Sequence, residues 1–120
     1  AAGDVLLRKT AELLARETRD VDVPGRLGGD EFALLLPETG YDGARAAIAH
    51  LRSRIAAMMS ENGWPVTTTM GAITFSNPAY PAEEMIGMAD RLMYSKKVEG
   101  KDGVAHRIVD GREVRPLPLA

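Results

Sequence analysis

With 120 residues, 45% of them hydrophobic, the chain has the size of one soluble domain and enough apolar material for a single core. Its formal charge of −2 gives no basic field for nucleic acid or anionic lipid, so an anionic ligand has to be held by a few placed groups. The absence of cysteine excludes a disulfide framework and a thiolate metal site, and no apolar run approaches the ~18 residues of a membrane span, so a reducing, cytoplasmic setting is expected.

In chain order, "GDVLLRKTAELLARET" sets Leu6, Leu7, Thr10, Leu13 and Leu14 on one side of a helix over about residues 4–18, with Asp4 at its mouth as an N-cap. "DVPGRL" and "EFALLLP" read as two strands flanking Gly28 and Gly29, the pair that a two-residue hairpin turn with positive φ at both centres selects. The second run is apolar throughout after its first residue, which predicts a strand covered on both faces. "DGARAAIAHLRSRIAAMM" repeats Ala44, Ala47, Ile48, Leu51, Ile55 and Met58 at helical spacing, and Gly63 and Pro65 break it. "VTTTMGAITF" is β-branched and strand-like. "AEEMIGMADRLMYSKK" is a third helix with Met85, Ile86, Ala89, Leu92 and Met93 inward, ended by Gly100, and "GVAHRIV" is a last strand. The order helix, hairpin, helix, strand, helix, strand predicts an α+β domain over residues 1–109, with 110–120 a hairpin return or a tail.

Asp30 and Glu31 follow the glycines directly, and neighbouring side chains of a strand point to opposite faces, so at most one can share a cleft with the turn. A carboxylate beside a side-chain-free turn suits a hard cation whose other ligands are phosphate oxygens, because glycines let a bulky anion approach the backbone. The alternative is an exposed hairpin decorated with solubilising acids. His50 and His106 are isolated in sequence and read as structural or solvent-facing, and the methionines fall at core spacing. Arg26 and Tyr94 are assigned packing or hydrogen-bonding duties.

The string "RLGGDEF", with "LLLPET" after it, resembles the signature of GGDEF domains, the diguanylate cyclases that condense two GTP into cyclic di-GMP. "AAGDVLLRKTAELL", "VTTTMGAITF" and "ADRLMYSKKVEGKDGV" are similar to further family blocks, in family order, over roughly residues 1–109. The resemblance implies a βαββαβ nucleotidyl-cyclase-like core with a mostly antiparallel central sheet flanked by helices. It implies Asp30 as a ligand for Mg²⁺ or Mn²⁺ at the GTP phosphates, Glu31 as a second catalytic acid that faces either the metal site or the attacking hydroxyl, and Gly28 and Gly29 against the nucleotide. Asp4 matches the acid that reads the guanine edge, a role compatible with capping. Lys97 and Lys101 match the two cationic phosphate contacts, although lysines at a helix end also complement its dipole without any ligand. Lys101 stands where the family usually has Arg, which keeps the charge and loses the bidentate geometry. "RDVD" matches the RxxD motif at which the product binds and inhibits, through Arg19 and Asp22; the alternative is a surface ion pair worth little.

The same resemblance implies a homodimer with one GTP per protomer, a covalently linked sensory or EAL-type domain, and a full-length protein that can be membrane-anchored elsewhere. One departure stands out: the family's opening strand with "DxDxFKxxND" is not within these 120 residues. The expectation is that the native protein continues upstream and that residues 1–120 alone are inactive. Without that strand, "EFALLLP" and "VTTTMGAITF" are expected to carry unpaired edges. A catalytically silent module that binds GTP or cyclic di-GMP and regulates a neighbouring domain is the alternative function.

Overall fold

The computed structural model describes residues 2–76 and 80–109; the return or tail expected over 110–120 lies outside the described residues. The chain divides into two compact units, Ala1–Thr39 with Ala46–Pro65, and Gly40–Arg45 with Val66–Ala120.

The first unit opens with helix α1, Ala2–Glu17, whose Thr10, Leu13 and Leu14 are buried. The helix begins two residues before the expected start, so Asp4 is not an N-cap: it lies inside the first turn, exposed, where a carboxylate still complements the helix dipole. Strands β1, Val23–Gly28, and β2, Glu31–Leu35, pair antiparallel with Val23 opposite Leu35 and Arg26 opposite Phe32. α1 packs against β1. β2 is half-buried rather than covered on both faces, and Leu35 is 51% exposed. The apolar run anticipates more cover than a two-stranded ladder receives in this unit. Helix α2, Tyr41–Glu61, gives its later turns to this unit, with Leu51, Ile55 and Met59 buried. Met59 replaces the expected Met58 in the core, because the stripe running Leu51, Ile55, Met59 advances by fours.

The second unit is a β-α-β arrangement. Strand β3, Thr69–Phe75, and strand β4, Gly103–Val109, run parallel in register from Thr69↔Gly103 to Phe75↔Val109, joined through helix α3, Ala82–Glu99. Parallel neighbours need such a crossover to return the chain to the same end. α3 lies directly on β3: a Cβ at Gly71 would run into the backbone of Ala89 and Met93, so only glycine permits this approach. That contact also fixes which side of α3 faces inward. Met88 and Leu92 are buried, and Ile86, expected inward, is 41% exposed. Gly100 closes the helix with its N–H on the Lys96 carbonyl at 3.0 Å.

The α+β class expected from the sequence is what the described residues form, three helices and four strands. Their pairing is one antiparallel and one parallel ladder, each two-stranded, so β2 and β3 each keep one edge unpaired among the described residues.

Candidate functional site

The tip of the β1–β2 hairpin is built by three local devices. The last strand pair is Gly28↔Glu31, so the two-residue connection is Gly29–Asp30 rather than the expected Gly28–Gly29. Both glycines nevertheless have positive φ, 147° at Gly28 and 51° at Gly29, conformations that L-residues with side chains rarely adopt. Between Arg26 and Gly28 the register slips by one, leaving Leu27 as the extra residue of a β-bulge. From the strand before that bulge, Arg26 donates through Nε (2.9 Å) and Nη2 (2.5 Å) to the Gly29 carbonyl, the hydrogen-bonding duty its sequence position allows.

Asp30 is therefore a turn residue, exposed, while Glu31 begins β2 and is half-buried. Neither side chain has a hydrogen bond or ion pair among the described residues, and nothing packs on the glycines where a Cβ would stand. Among the described residues no three His, Cys, Asp or Glu side chains converge into a metal cage. Mg²⁺ bound to a nucleotide does not require one, since it takes one or two carboxylates together with phosphate oxygens and water. The hard, free oxygens of Asp30 beside an open glycine turn fit that mode.

The base of the same hairpin is different. Asp22 is buried, its side chain 4% exposed, and it is enclosed by Arg19. The Arg19 backbone N–H donates to Asp22 Oδ2 at 2.8 Å, Nη2 to Oδ1 at 2.7 Å, and Nε to both oxygens at 3.1 and 3.2 Å. Nη2 also reaches the Pro37 carbonyl and Thr39 Oγ1, each at 3.0 Å, in the loop that leaves β2. Between those two acceptors sits Glu38 with φ 51°, a left-handed non-glycine residue held in place by the bonds on either side. The Arg19 hydrogen bonds hold the Asp22 carboxyl below its ordinary range, and Asp22 in turn raises Arg19. The surface ion pair weighed from sequence is thus not what forms, because one partner is buried and the other ties two loops together.

The remaining site residues are divided between the units. Asp4 is in the first, while Lys97, in the last turn of α3, and Lys101, just beyond Gly100, are in the second; all three are exposed and free of side-chain partners among the described residues. The structure brings together Arg19 with Asp22, and Gly28 and Gly29 with Asp30 and Glu31.

Two other clusters were not read from sequence as such. Glu17 accepts from His50 Nε2 at 2.8 Å, with Arg16 at 3.3 Å and Arg54 at 3.7 Å, and the His50 bond leads in holding its carboxyl below the usual value. In the second unit His106 stacks on Tyr41 at 4.1 Å between ring centroids and pairs through Nε2 with Thr74 Oγ1 at 2.7 Å. Its Nδ1 is buried without a partner, and burial pushes the imidazole below its ordinary value. No described helix is long and apolar enough to cross a membrane.

The family model described as "Diguanylate cyclase, GGDEF domain" matches residues 1–103. The chain is 36% identical over 103 residues to Diguanylate cyclase DgcZ of Escherichia coli, covering 83% of this chain and 34% of that protein. It is 35% identical over 103 residues to Diguanylate cyclase DgcP of Pseudomonas aeruginosa, covering 84% and 15%. With Response regulator PleD of Caulobacter vibrioides the identity is 27% over 107 residues, covering 85% and 24%. The chain spans at most about a third of the length of these relatives.

Proposed function

The chain belongs to the GGDEF family of diguanylate cyclase domains, and from that premise we propose that it condenses two GTP into cyclic di-GMP with release of pyrophosphate, in a homodimer that brings one GTP on each protomer. The observation that carries this reading is the hairpin tip, where a free, exposed Asp30 follows two glycines that leave the backbone open to a large anion. The reaction is phosphoryl transfer: a 3′-hydroxyl oxygen forms a bond to the α-phosphorus of the other GTP as the bond to pyrophosphate breaks, once in each direction. Such transfer depends on alignment and charge neutralisation more than on covalent participation by the protein.

In this reading Asp30 would hold Mg²⁺ or Mn²⁺, and the ion would supply charge neutralisation at the reacting phosphorus. Glu31, first residue of β2, is the second acid beside the attacking hydroxyl. Gly28 and Gly29 lie against the nucleotide, and Asp4 accepts from the guanine ring N–H and amino group. Lys97 and Lys101 neutralise phosphate charge; both act as point charges rather than forks. Product inhibition runs through Arg19 and Asp22. Because Nε and Nη2 of Arg19 are already committed to Asp22, Pro37 and Thr39, the product meets the Nη1 side of the guanidinium or displaces one of these bonds.

Asp30→Asn in the full-length protein tests the reading. It removes the carboxylate charge at the reacting phosphates and keeps the size and shape of this turn residue, so turnover of GTP falls at least about 100-fold, roughly the loss of 3 kcal/mol of transition-state stabilisation, with an unchanged melting temperature. Near wild-type turnover sinks the assignment. A wild-type protein that binds cyclic di-GMP and forms none is instead the silent regulatory module.

A further inference from the structure

We infer that Arg26 is a positioning residue for Asp30, setting the orientation of the hairpin tip through the Gly29 carbonyl; the inference rests on the reading of Asp30 given above. The carbonyl that Arg26 grips belongs to the peptide joining Gly29 to Asp30. Its six atoms are planar, so fixing the oxygen fixes the plane, and the Cα of Asp30 lies in that plane. A guanidinium that donates twice to one oxygen restrains direction as well as distance.

The tip has little else to hold it. Gly28 and Gly29 carry positive φ, no side chain, and no neighbouring atom where a Cβ would stand, and the Asp30 side chain has no partner among the described residues. Glycine is the residue with the most backbone freedom to lose, so an unclamped Gly-Gly-Asp tip samples many orientations of the carboxylate. The bulge at Leu27 supplies the clamp: an extra residue bends the strand and re-aims the side chain before it, here toward the carbonyl three residues ahead. A carboxylate that meets a metal and phosphates in one geometry loses much when displaced by about an ångström, on the order of 100-fold in rate.

The test uses the intact protein with Arg26→Ala, Arg26→Lys and, as reference, Asp30→Asn. Three quantities are read: the backbone order parameters of Gly29 and Asp30 by ¹⁵N relaxation, Mn²⁺ affinity in the presence of a non-reacting GTP analogue, and kcat and KM for GTP. Arg26→Ala is expected to drop the tip order parameters from the rigid range near 0.85 toward about 0.6. It is further expected to weaken Mn²⁺ binding about tenfold and to lower kcat about 10- to 100-fold, with KM within about threefold. Arg26→Lys, keeping charge and one donor, recovers part of each. Where Arg26→Ala does not fold, Arg26→Lys carries the test, with the same quantities displaced in the same direction by less. Unchanged tip order and unchanged kcat in Arg26→Ala, while Asp30→Asn is dead, overturn the role of Arg26 alone. An active Asp30→Asn overturns the reading of Asp30, and the order parameters still decide whether Arg26 fixes the tip.

Discussion

The two ends of one short hairpin are both fastened by an arginine, and the fastenings are opposite in kind. At the base, Arg19 surrounds a buried carboxylate and ties the loop entering β1 to the loop leaving β2. At the tip, Arg26 bonds to the Gly29 carbonyl alone among the described residues and leaves the neighbouring carboxylate open to solvent. A buried carboxylate must keep its partner, since losing it strands a charge away from water. A free one in a held turn is available to a ligand. The base thus holds a buried charge in place, and the tip leaves a carboxylate free for the ligand proposed above.

The largest effect outside the tip is that of Arg19→Ala in the full-length protein. It removes a charged hydrogen-bond donor from the proposed product site and is expected to weaken cyclic di-GMP binding about 10- to 100-fold, while initial turnover of GTP stays within a few-fold. Calorimetric titration with product and a full progress curve read both; a mutant that stalls at the wild-type product level shows that "RDVD" has only its structural duty.

Next is Asp22→Asn, which keeps shape and loses the charge that Arg19 encloses. Its thermal midpoint should fall by several degrees, and its acid response should change shape. The folded Asp22 carboxyl sits below the ordinary 3.8, so its contribution to stability is present above that value and is lost as pH falls from there toward the folded pKa. Denaturation followed from pH 7 to pH 2 should show this acid limb in wild type and a flatter one in Asp22→Asn. Identical limbs would mean that the Arg19–Asp22 pair carries no stability.

The smallest effect lies away from the hairpin and serves as its control. His106 titrates below the ordinary 6.5 because burial disfavours the imidazolium. Its contribution is complete above that pH and declines as pH falls through 6.5 toward the folded value. His106→Asn should remove that shallow upper limb and leave the lower one, to which Asp22 and Glu17 contribute, in place. Equal curves for wild type and His106→Asn would remove His106 from the account.

How much of this was legible beforehand follows from which interactions are local. The hairpin could be read because a glycine pair between two apolar runs is a short-range signal. Which residues form its connection could not, because the bulge at Leu27 shifts the loop to Gly29–Asp30 without changing composition. The Arg19–Thr39 contact depends on that same shift: the observed register, continued outward from Val23↔Leu35, sets residue 19 opposite residue 39, whereas the expected Gly28–Gly29 connection sets it opposite residue 38. The burial of Asp22 had no signal, since nothing in "RDVD" says which acid goes inward. In α3, "MIGMADRLM" offers apolar residues on more than one face, and the choice of Met88 over Ile86 was made by a distant glycine, Gly71, against which the helix backbone rests. The pairing of β3 with β4 was hidden for a similar reason, as it depends on where the crossover helix returns the chain.

The most direct test of the contrast between tip and base compares Asp30→Asn with Asp22→Asn in the full-length protein, measuring cyclic di-GMP formed per folded molecule at the start of the reaction alongside the fraction folded at the same temperature. Asp30→Asn is expected to be fully folded and to make almost no product, whereas Asp22→Asn is expected to be less stable but to make product at close to the wild-type rate for every molecule that is folded. The reverse pattern, an Asp30→Asn protein that turns over GTP or a fully stable Asp22→Asn protein that does not, would contradict this contrast.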